Sequence, residues 1–258
     1  EGASAASSAA AAGGADAGAD EDSLATDLPV QQSSGFAAFL SGTKAPQEGK
    51  DSPVALSSRL LALELLFGIL GHAGELFRHD TQFLAVIRSS LCVALLRNAV
   101  HSAGSVASIS LRIFLTLLKS FGTQLLAEIE VFITSVLLRI LDSHNVEHEQ
   151  KMLVLSVFHS IGSDGITSLE LFLNFDCVAG RSRVFENMMR TLSSIAQGRA
   201  SDAFTSTQTS QADGAAAKGM ALAALNKIME AVANQADAAA KARGLLGQLQ
   251  PLVGESDE

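Results

Sequence analysis

Apolar residues recur at helical spacing between residues 53 and 198, and this pattern limits the fold more than any other feature of the chain. The clearest instance lies near residues 125–141: Leu125, Leu126, Ile129, Phe132, Ile133, Val136, Leu137, Ile140 and Leu141. Such spacing places apolar side chains along one side of a helix. No segment alternates apolar and polar residues long enough to indicate a strand. The sequence therefore predicts an all-α chain.

Two starting points for helices can be read directly. Ser52 followed by Pro53 is typical of an N-cap with proline at the first helical position. Asp80 is expected to cap the next helix. The apolar stripe predicted for that second helix consists of Phe83, Val86, Ile87, Leu91, Ala94 and Leu95.

Helices of ~15 to 20 residues with broad apolar faces and short turns predict an armadillo- or HEAT-like helical solenoid. A compact helical bundle stays open as the alternative, because no repeat of fixed period is visible in the sequence. The solenoid would follow a disordered N-terminal tail, since the first residues are low in complexity and rich in Ala, Ser and Gly.

Composition shifts divide the chain into five predicted segments. The low-complexity tail, residues 1–52, contains Phe36, Phe39 and Leu40 as a possible short anchoring motif. In the final helix, Leu222, Leu225, Met229 and Val232 are expected to form the apolar face. The other segments are a helical repeat domain at 53–198, a polar linker at 199–216, that final amphipathic helix at 217–247 and an acidic tail at 248–258. Because residue 1 is Glu, the chain is expected to be a fragment.

The charge distribution argues against several classes of partner. The net charge is −9, but residues 53–198 hold 11 basic and 12 acidic residues, so the excess lies mostly outside the helical domain. Nucleic-acid binding needs clustered Lys and Arg, and no such cluster is present. No uncharged apolar run approaches the ~18 residues of a membrane span. The two cysteines, Cys92 and Cys177, are too few for a disulfide framework and favour a reducing compartment.

Enzyme motifs find little support. His144 to His148 fits the H-x-x-E-H pattern of zinc metalloproteases, but the segment lies at a helix start in a charged turn. Neither cysteine has a histidine close in sequence that could activate it as a nucleophile. The prediction is therefore no catalytic residue, no cofactor and no metal site.

A polar box, Asn174-Phe175-Asp176-Cys177, interrupts the end of an apolar helix. Asn and Asp side chains bond nearby backbone groups, so the box predicts a fixed corner between two helices. Phe175 and Cys177 are expected to point inward, and Ser182 is expected to cap the following helix. The buried side of that helix is predicted to carry Val184, Phe185, Met188, Met189, Leu192 and Ile195.

The box and the VFENMMRTLSSIAQG helix after it, residues 184–198, resemble the "homology upstream of Sec7" (HUS) region of large Arf guanine-nucleotide exchange factors of the BIG/Sec7p type, and more distantly Mon2. Val178 departs from the pattern, since a polar residue is expected there. The likeness covers about 180 residues, and the order of its pieces is more specific than any one piece. The other matching pieces are residues 62–66, 91–95, 113–118, 129–132 and 218–234.

The resemblance implies a regulatory and interaction region without exchange chemistry, because the Sec7 catalytic domain would lie outside this chain. It implies docking to the protein's own upstream dimerisation domain and Sec7 domain, homodimer formation, and recruitment by Arf or Arf-like small GTPases. It also implies a cytoplasmic protein at the periphery of trans-Golgi network membranes. The expected interaction residues are Asn174, Phe175, Asp176 and Cys177.

A Mon2-like, non-catalytic trafficking scaffold stays open as the alternative function. The two possibilities differ in whether a Sec7 domain follows residue 258. In either case, residues 53–240 expressed alone are expected to self-associate or to be only marginally stable, since a helical array cut at one end exposes an apolar face.

Overall fold

The computed structural model describes residues 52–144, 146–199 and 211–253, with the backbone alone for residues 211, 242 and 244–253. Within these ranges all regular structure is helical and no strand occurs, which confirms the all-α prediction. The tail predicted to be disordered, with Phe36, Phe39 and Leu40, lies outside the described residues except for Ser52.

The described ranges contain nine helices, three of which include a π-helical turn. These are α1 (Pro53–Gly71), α2 (Glu75–His79), α3 (residues 81–98), α4 (Gly104–Phe121), α5 (residues 126–142), α6 (His148–Gly162), α7 (residues 165–176), α8 (Val184–Ala196) and α9 (Gln211–Val253).

Side-chain caps begin α1 and α3 as predicted. The Ser52 hydroxyl accepts a hydrogen bond from the Ala55 amide at 3.2 Å, and Pro53 occupies the first helical position. The Asp80 carboxylate accepts from the amides of Gln82 and Phe83 at 2.8 and 3.2 Å. Each cap satisfies amides that the helix itself cannot bond.

The helices pack around one continuous core, which confirms the solenoid. Helix α1 packs on α4, α4 on α6, and α9 lies across α6, α7 and α8. Fully buried apolar residues run through every layer, and the stacked rings of Phe114 and Phe132, with centroids 4.1 Å apart, join α4 to α5. Helix pairs stacked in this way bury their apolar faces against neighbouring pairs.

A structural repeat that the sequence does not reveal runs through α3, α5 and α7. These helices begin at Thr81, Leu126 and Gly165, so the units are 45 and 39 residues apart. Each contains a π-helical turn shortly after its first turn: Ile87–Leu91, Phe132–Leu137 and Phe172–Asp176. The spacing varies between units, which explains why no fixed period is visible.

The π-helical turn in α3 also corrects the predicted stripe of that helix. Phe83, Val86 and Ala94 are exposed, whereas the buried residues are Leu84, Ile87, Cys92, Leu95 and Leu96. A π-helical turn takes in one extra residue, which rotates the later part of the helix by about 100° relative to the earlier part. A single α-helical period therefore cannot fit both halves.

The apolar face predicted for the last helix is wrong in part. Leu222 and Met229 are 52% and 62% exposed, while Leu225 and Val232 are half-buried. The residues that α9 buries are Ala217, Ala221, Ala224 and Ile228. The glycine at position 162 lets α9 cross α6 closely: a Cβ atom there would lie 2.7 Å from Ile228 Cγ1.

Two helices, α1 and α4, are long and apolar enough to cross a membrane, and α6 with α7, bent by 100°, would count as a third. Each of the two contains two charged residues, Arg59 and Glu64 in α1 and Arg112 and Lys119 in α4, so neither is an uncharged apolar run. In this fold α4 is largely buried among other helices, whereas one side of α1 is uncovered.

Candidate interaction corner

The Asn-Phe-Asp-Cys box forms the end of α7 and the corner that leads into α8. Its first three residues belong to the π-helical turn Phe172–Asp176, and Cys177 is the residue at which the helix ends. Counted from the first residue of each helix, Asp176 in α7 corresponds to the buried Cys92 in α3 and the buried Leu137 in α5. A carboxylate thus replaces a core side chain in the third unit.

This carboxylate caps α8 from across the connecting loop. One Asp176 oxygen accepts from the Phe185 amide at 2.8 Å and the other from the Glu186 amide at 2.9 Å. A carboxylate at a helix N-terminus both satisfies unbonded amides and interacts favourably with the helix dipole. Asp176 therefore fixes the direction of α8 relative to α7.

The predicted cap by Ser182 is wrong. The residue before α8 is Arg183, which makes no side-chain cap, and the buried Ser182 hydroxyl has no hydrogen-bond partner in the described part of the chain. The two oxygens of Asp176 already take the amides that a serine hydroxyl would accept from. The other end of α8 closes at Gly198, whose φ of +73° lies in the left-handed region that glycine favours.

The other box residues have different surroundings. Phe175 is fully buried, as expected, but Cys177 is exposed, so its predicted inward position is wrong. The Cys177 amide donates to the Phe172 carbonyl at 3.2 Å, after which the chain leaves the helix and turns outward. Asn174 is half-buried and lies beside Gly122 and Glu170 at the border with α4.

An open groove lies on the outer side of the corner. It has a volume of about 390 Å³ and is lined by Phe172, Asp176, Arg183, Phe185, Glu186 and Met189. The rings of Phe172 and Phe185 meet edge to face with centroids 5.5 Å apart. Leu173 and Val178, both exposed, extend the apolar area around this end of α7. We define the corner surface as Phe172, Leu173, Val178, Phe185 and Met189.

Charged groups border the corner surface. Arg183 donates to Glu186 at 2.9 Å, and Arg190 pairs with the same carboxylate. The Arg183 guanidinium beside Glu186 holds the pKa of that carboxyl below its usual range, and Arg190 adds to the effect. An apolar centre with a charged border is typical of a protein interface.

Sequence reasoning selected the box and did not select its exposed neighbours Phe172 and Leu173. Their signal in the sequence is weak, because apolar residues at the end of an apolar helix look like core. Only the π-helical turn shows that α7 presents them outward while Leu171 and Phe175 point inward.

The enzyme motifs that the sequence suggests lack the geometry they need in the described residues. No group of three His, Cys, Asp or Glu side chains there could hold a metal ion. His144 lies in a turn and His148 begins α6, so the two histidines do not share a helix as a zinc protease requires. Burial, with a contribution from Glu128, raises the pKa of Cys92 to about 12, which opposes formation of a nucleophilic thiolate.

The fold and the corner define a helical-repeat protein whose candidate site is a docking surface. Comparison with known families gives a more specific result. The family described as "Mon2/Sec7/BIG1-like, HUS domain" matches residues 36–184, more than half of the sequence. The chain belongs to this family, and the part that matches is the HUS domain rather than the Sec7 catalytic domain.

Relatives from animals and plants cover the same region. The human "Brefeldin A-inhibited guanine nucleotide-exchange protein 1" is 40% identical over 146 residues, which is 57% of this chain and 8% of that protein. From Arabidopsis thaliana, protein 2 of the same name is 35% identical over 154 residues, or 59% of this chain and 9% of its own length. The chain thus spans less than a tenth of the length of these two relatives.

Proposed function

We propose that this chain is the regulatory and interaction region of a Sec7-type Arf guanine-nucleotide exchange factor that acts in Golgi vesicle trafficking. Membership of the HUS family and relatives named as exchange proteins support this proposal. The whole protein would work in the cytoplasm at the periphery of trans-Golgi network membranes. Exchange on Arf would be carried out by a Sec7 domain elsewhere in that protein.

The observation on which the proposal rests most is the cap that Asp176 makes on α8. A capping carboxylate from the preceding helix holds the corner in one geometry, so the surface around it is preorganised before a partner arrives. Preorganisation lowers the entropy lost on binding. Asp176 and the buried Phe175 would act as positioning residues, and Asn174 would support them at the border with α4.

The corner surface would be the part that contacts a partner. We propose that the partner is the protein's own upstream dimerisation domain, with the exposed Cys177 at the edge of the contact. Apolar residues at the centre would be desolvated, while Arg183 and Glu186 at the border would set orientation. Dimerisation and recruitment by Arf or Arf-like GTPases would depend on this docked arrangement.

A pair of matched substitutions in the full-length protein tests the proposal. Leu173→Asp places a charge on the corner surface, whereas Leu222→Asp places one on α9, and the two leucines are 48% and 52% exposed. Neither is a core residue, so both variants should fold. Affinity for the separately expressed upstream region is measured by calorimetry, and Golgi localisation by fluorescence microscopy.

We expect Leu173→Asp to weaken binding by at least about tenfold, or ~1.4 kcal/mol, and to reduce Golgi localisation. Leu222→Asp should leave both unchanged. Equal behaviour of the two variants would refute docking at the corner surface.

The Mon2-like scaffold is a second candidate, because the family description includes Mon2 alongside Sec7 and BIG1. The coding sequence beyond residue 258 and a nucleotide-exchange assay of the whole protein distinguish the two. A downstream Sec7 domain with exchange activity on Arf supports the exchange factor. Continuation into further helices without such activity supports the scaffold.

A further inference from the structure

Helix α1 is apolar on two opposite sides, and the solenoid covers only one of them. The inner side packs on α4 through the buried Leu63 and Leu70 and the partly buried Phe67. The guanidinium of Arg112, in α4, lies 4.5 Å from the centre of the Phe67 ring. This side accounts for the attachment of α1 to the rest of the fold.

The outer side carries a second apolar stripe, which we define as the α1 outer face. Its members Val54, Leu61, Leu65 and Ile69 are 76%, 59%, 61% and 57% exposed. Their separations of seven, four and four residues place them along one line of the helix. A helix that is apolar all round is normally buried, and a continuous exposed stripe marks a contact surface.

The family match extends upstream of α1. The match begins at residue 36, well before α1 starts at Pro53, so the HUS domain includes chain upstream of α1. That upstream part contains Phe36, Phe39 and Leu40, whose spacing of three and one residues suits one side of a helical turn. A domain containing both an uncovered apolar helix and an adjacent apolar segment can bury both by joining them.

We infer that residues 36–40 of the same chain pack on the α1 outer face and complete the first layer of the solenoid. The connection from residue 40 to Pro53 can extend to roughly 40 Å, whereas the 19-residue α1 is about 28 Å long. The segment can therefore reach any point along the face. Because it stays in the same molecule, its effective concentration at the face is high.

The alternative occupants fit less well. A membrane would have to accept Arg59 and Glu64 near the middle of α1, and Arg59 instead donates to Asn98 of α3 at 3.4 Å. A second copy of the chain would have to compete with residues 36–40, which belong to the same molecule and so have a high effective concentration at the face. Both alternatives are outcomes that the experiment detects.

The first experiment places a photoreactive phenylalanine analogue at Phe39 of the full chain. After irradiation, cross-linked peptides are identified by mass spectrometry in a mixture of isotope-labelled and unlabelled chains. We expect cross-links to peptides of α1, with both partners carrying the same label. The same analogue at Leu28, outside the family match, should give no cross-link to α1.

Mixed-label cross-links would show contact with a second copy and would overturn the inference. Cross-links to any other helix, or none to α1, would also overturn it. A result of either kind leaves the proposed function untouched, because the α1 outer face and the corner surface share no residue.

Hydrogen exchange gives an independent readout in the full chain. Replacing Phe36, Phe39 and Leu40 by serine should speed amide exchange in α1 by about tenfold, since an uncovered helix opens more often. The matched control replaces Leu24, Leu28 and Val30 by serine and should change nothing. Unchanged amide exchange in the first variant would contradict the inference. Faster exchange that appears only after phospholipid vesicles are removed from the sample would contradict it as well, because a membrane would then be what covers α1.

Discussion

Asp176 connects α7 to α8 from a position that carries a core residue in the other two repeat units. In α3 and α5 the equivalent position carries the apolar residues Cys92 and Leu137, which fill the solenoid core. In α7 the carboxylate turns to the following helix and accepts two backbone amides. Two charge-assisted hydrogen bonds at one helix end are stronger than a single hydroxyl cap. The corner is therefore sensitive to this one side chain.

Removal of that carboxylate should destabilise the fold. We expect Asp176→Ala to lower the free energy of unfolding by about 1–2 kcal/mol, because two amides at the start of α8 lose their acceptor. Asp176→Asn keeps one acceptor oxygen and should lose roughly half as much. Urea unfolding of the full chain, followed by circular dichroism, measures both.

The control for Asp176 is an acidic residue without a capping role. Asp237→Ala, on the exposed part of α9, should change the free energy of unfolding by less than about 0.5 kcal/mol. If Asp176→Ala and Asp237→Ala gave the same small change, the capping role of Asp176 would be wrong.

Cys92 should make the fold sensitive to alkaline pH. Burial raises the pKa of its thiol from 9.0 to about 12, so above pH 9.0 the unfolded chain loses this proton while the folded chain keeps it. The unfolded state then binds fewer protons, and stability falls as pH rises from 9.0 towards 12 by about 1.4 kcal/mol per pH unit.

A variant without the Cys92 thiol isolates this contribution. Between about pH 8 and pH 10, the free energy of unfolding should fall by roughly 1.4 kcal/mol less in Cys92→Ala than in the wild type. Its stability at neutral pH should also be lower, because a buried side chain becomes smaller. Cys177→Ala, which removes an exposed thiol, serves as the matched variant and should keep the wild-type pH dependence. If the free energy of unfolding changed with pH in the same way in Cys92→Ala and in the wild type, the raised pKa of the Cys92 thiol would be contradicted.

At the scale of helices, the sequence predicts a feature correctly where one residue and its neighbours in the chain determine the local structure. Ser52 and Asp80 cap α1 and α3 as predicted, because a short polar side chain before an apolar run has few other uses. The apolar stripe of α5 also holds, since both parts of that helix face a continuous core. These features depend on neighbours in the chain.

Other features depend on contacts that are distant in sequence. The α9 face could not be predicted from apolarity, because the side of α9 that is buried depends on how the helix crosses α6, where Gly162 lets Ile228 approach closely. The cap on α8 comes from Asp176 rather than from the adjacent Ser182, and nothing in the local pattern ranks one above the other. The box was identified through family resemblance, whereas its geometry required the fold.

The crossing of α6 and α9 should not tolerate a larger residue at Gly162. A Cβ atom there would lie 2.7 Å from Ile228 Cγ1 and 2.9 Å from the Ile228 backbone nitrogen, which cannot move without shifting α9. We expect Gly162→Ala to destabilise the chain by about 1–3 kcal/mol, measured by urea unfolding.

The matched change is Gly68→Ala in α1, where a Cβ atom would meet nothing within 4 Å. This substitution should stabilise by about 0.5–1 kcal/mol, since alanine favours the helix and reduces unfolded-state entropy. Stabilisation by Gly162→Ala would show that α6 and α9 are not held this close.

At the scale of the whole molecule, the folded unit extends beyond the family match. The match ends at residue 184, the first residue of α8, but Met188, Leu192 and Ile195 of α8 are buried. Ala221 and Ile228 of α9 are buried as well, against helices that lie inside the match. The HUS core of this chain therefore relies on two helices that follow the matched region.

Truncation separates the part of α9 that packs from the part that projects. Described side chains at residues 236–241 and 243 are all exposed, whereas Ala217, Ala224 and Ile228 are buried. We expect a chain ending at residue 243 to unfold at the same urea concentration as the 258-residue chain. A chain ending at residue 210 should lose several kcal/mol or aggregate, because the apolar sides of α6, α7 and α8 become exposed to water. Retention of the wild-type unfolding midpoint after removal of residues 211–258 would mean that α9 is not part of the solenoid core.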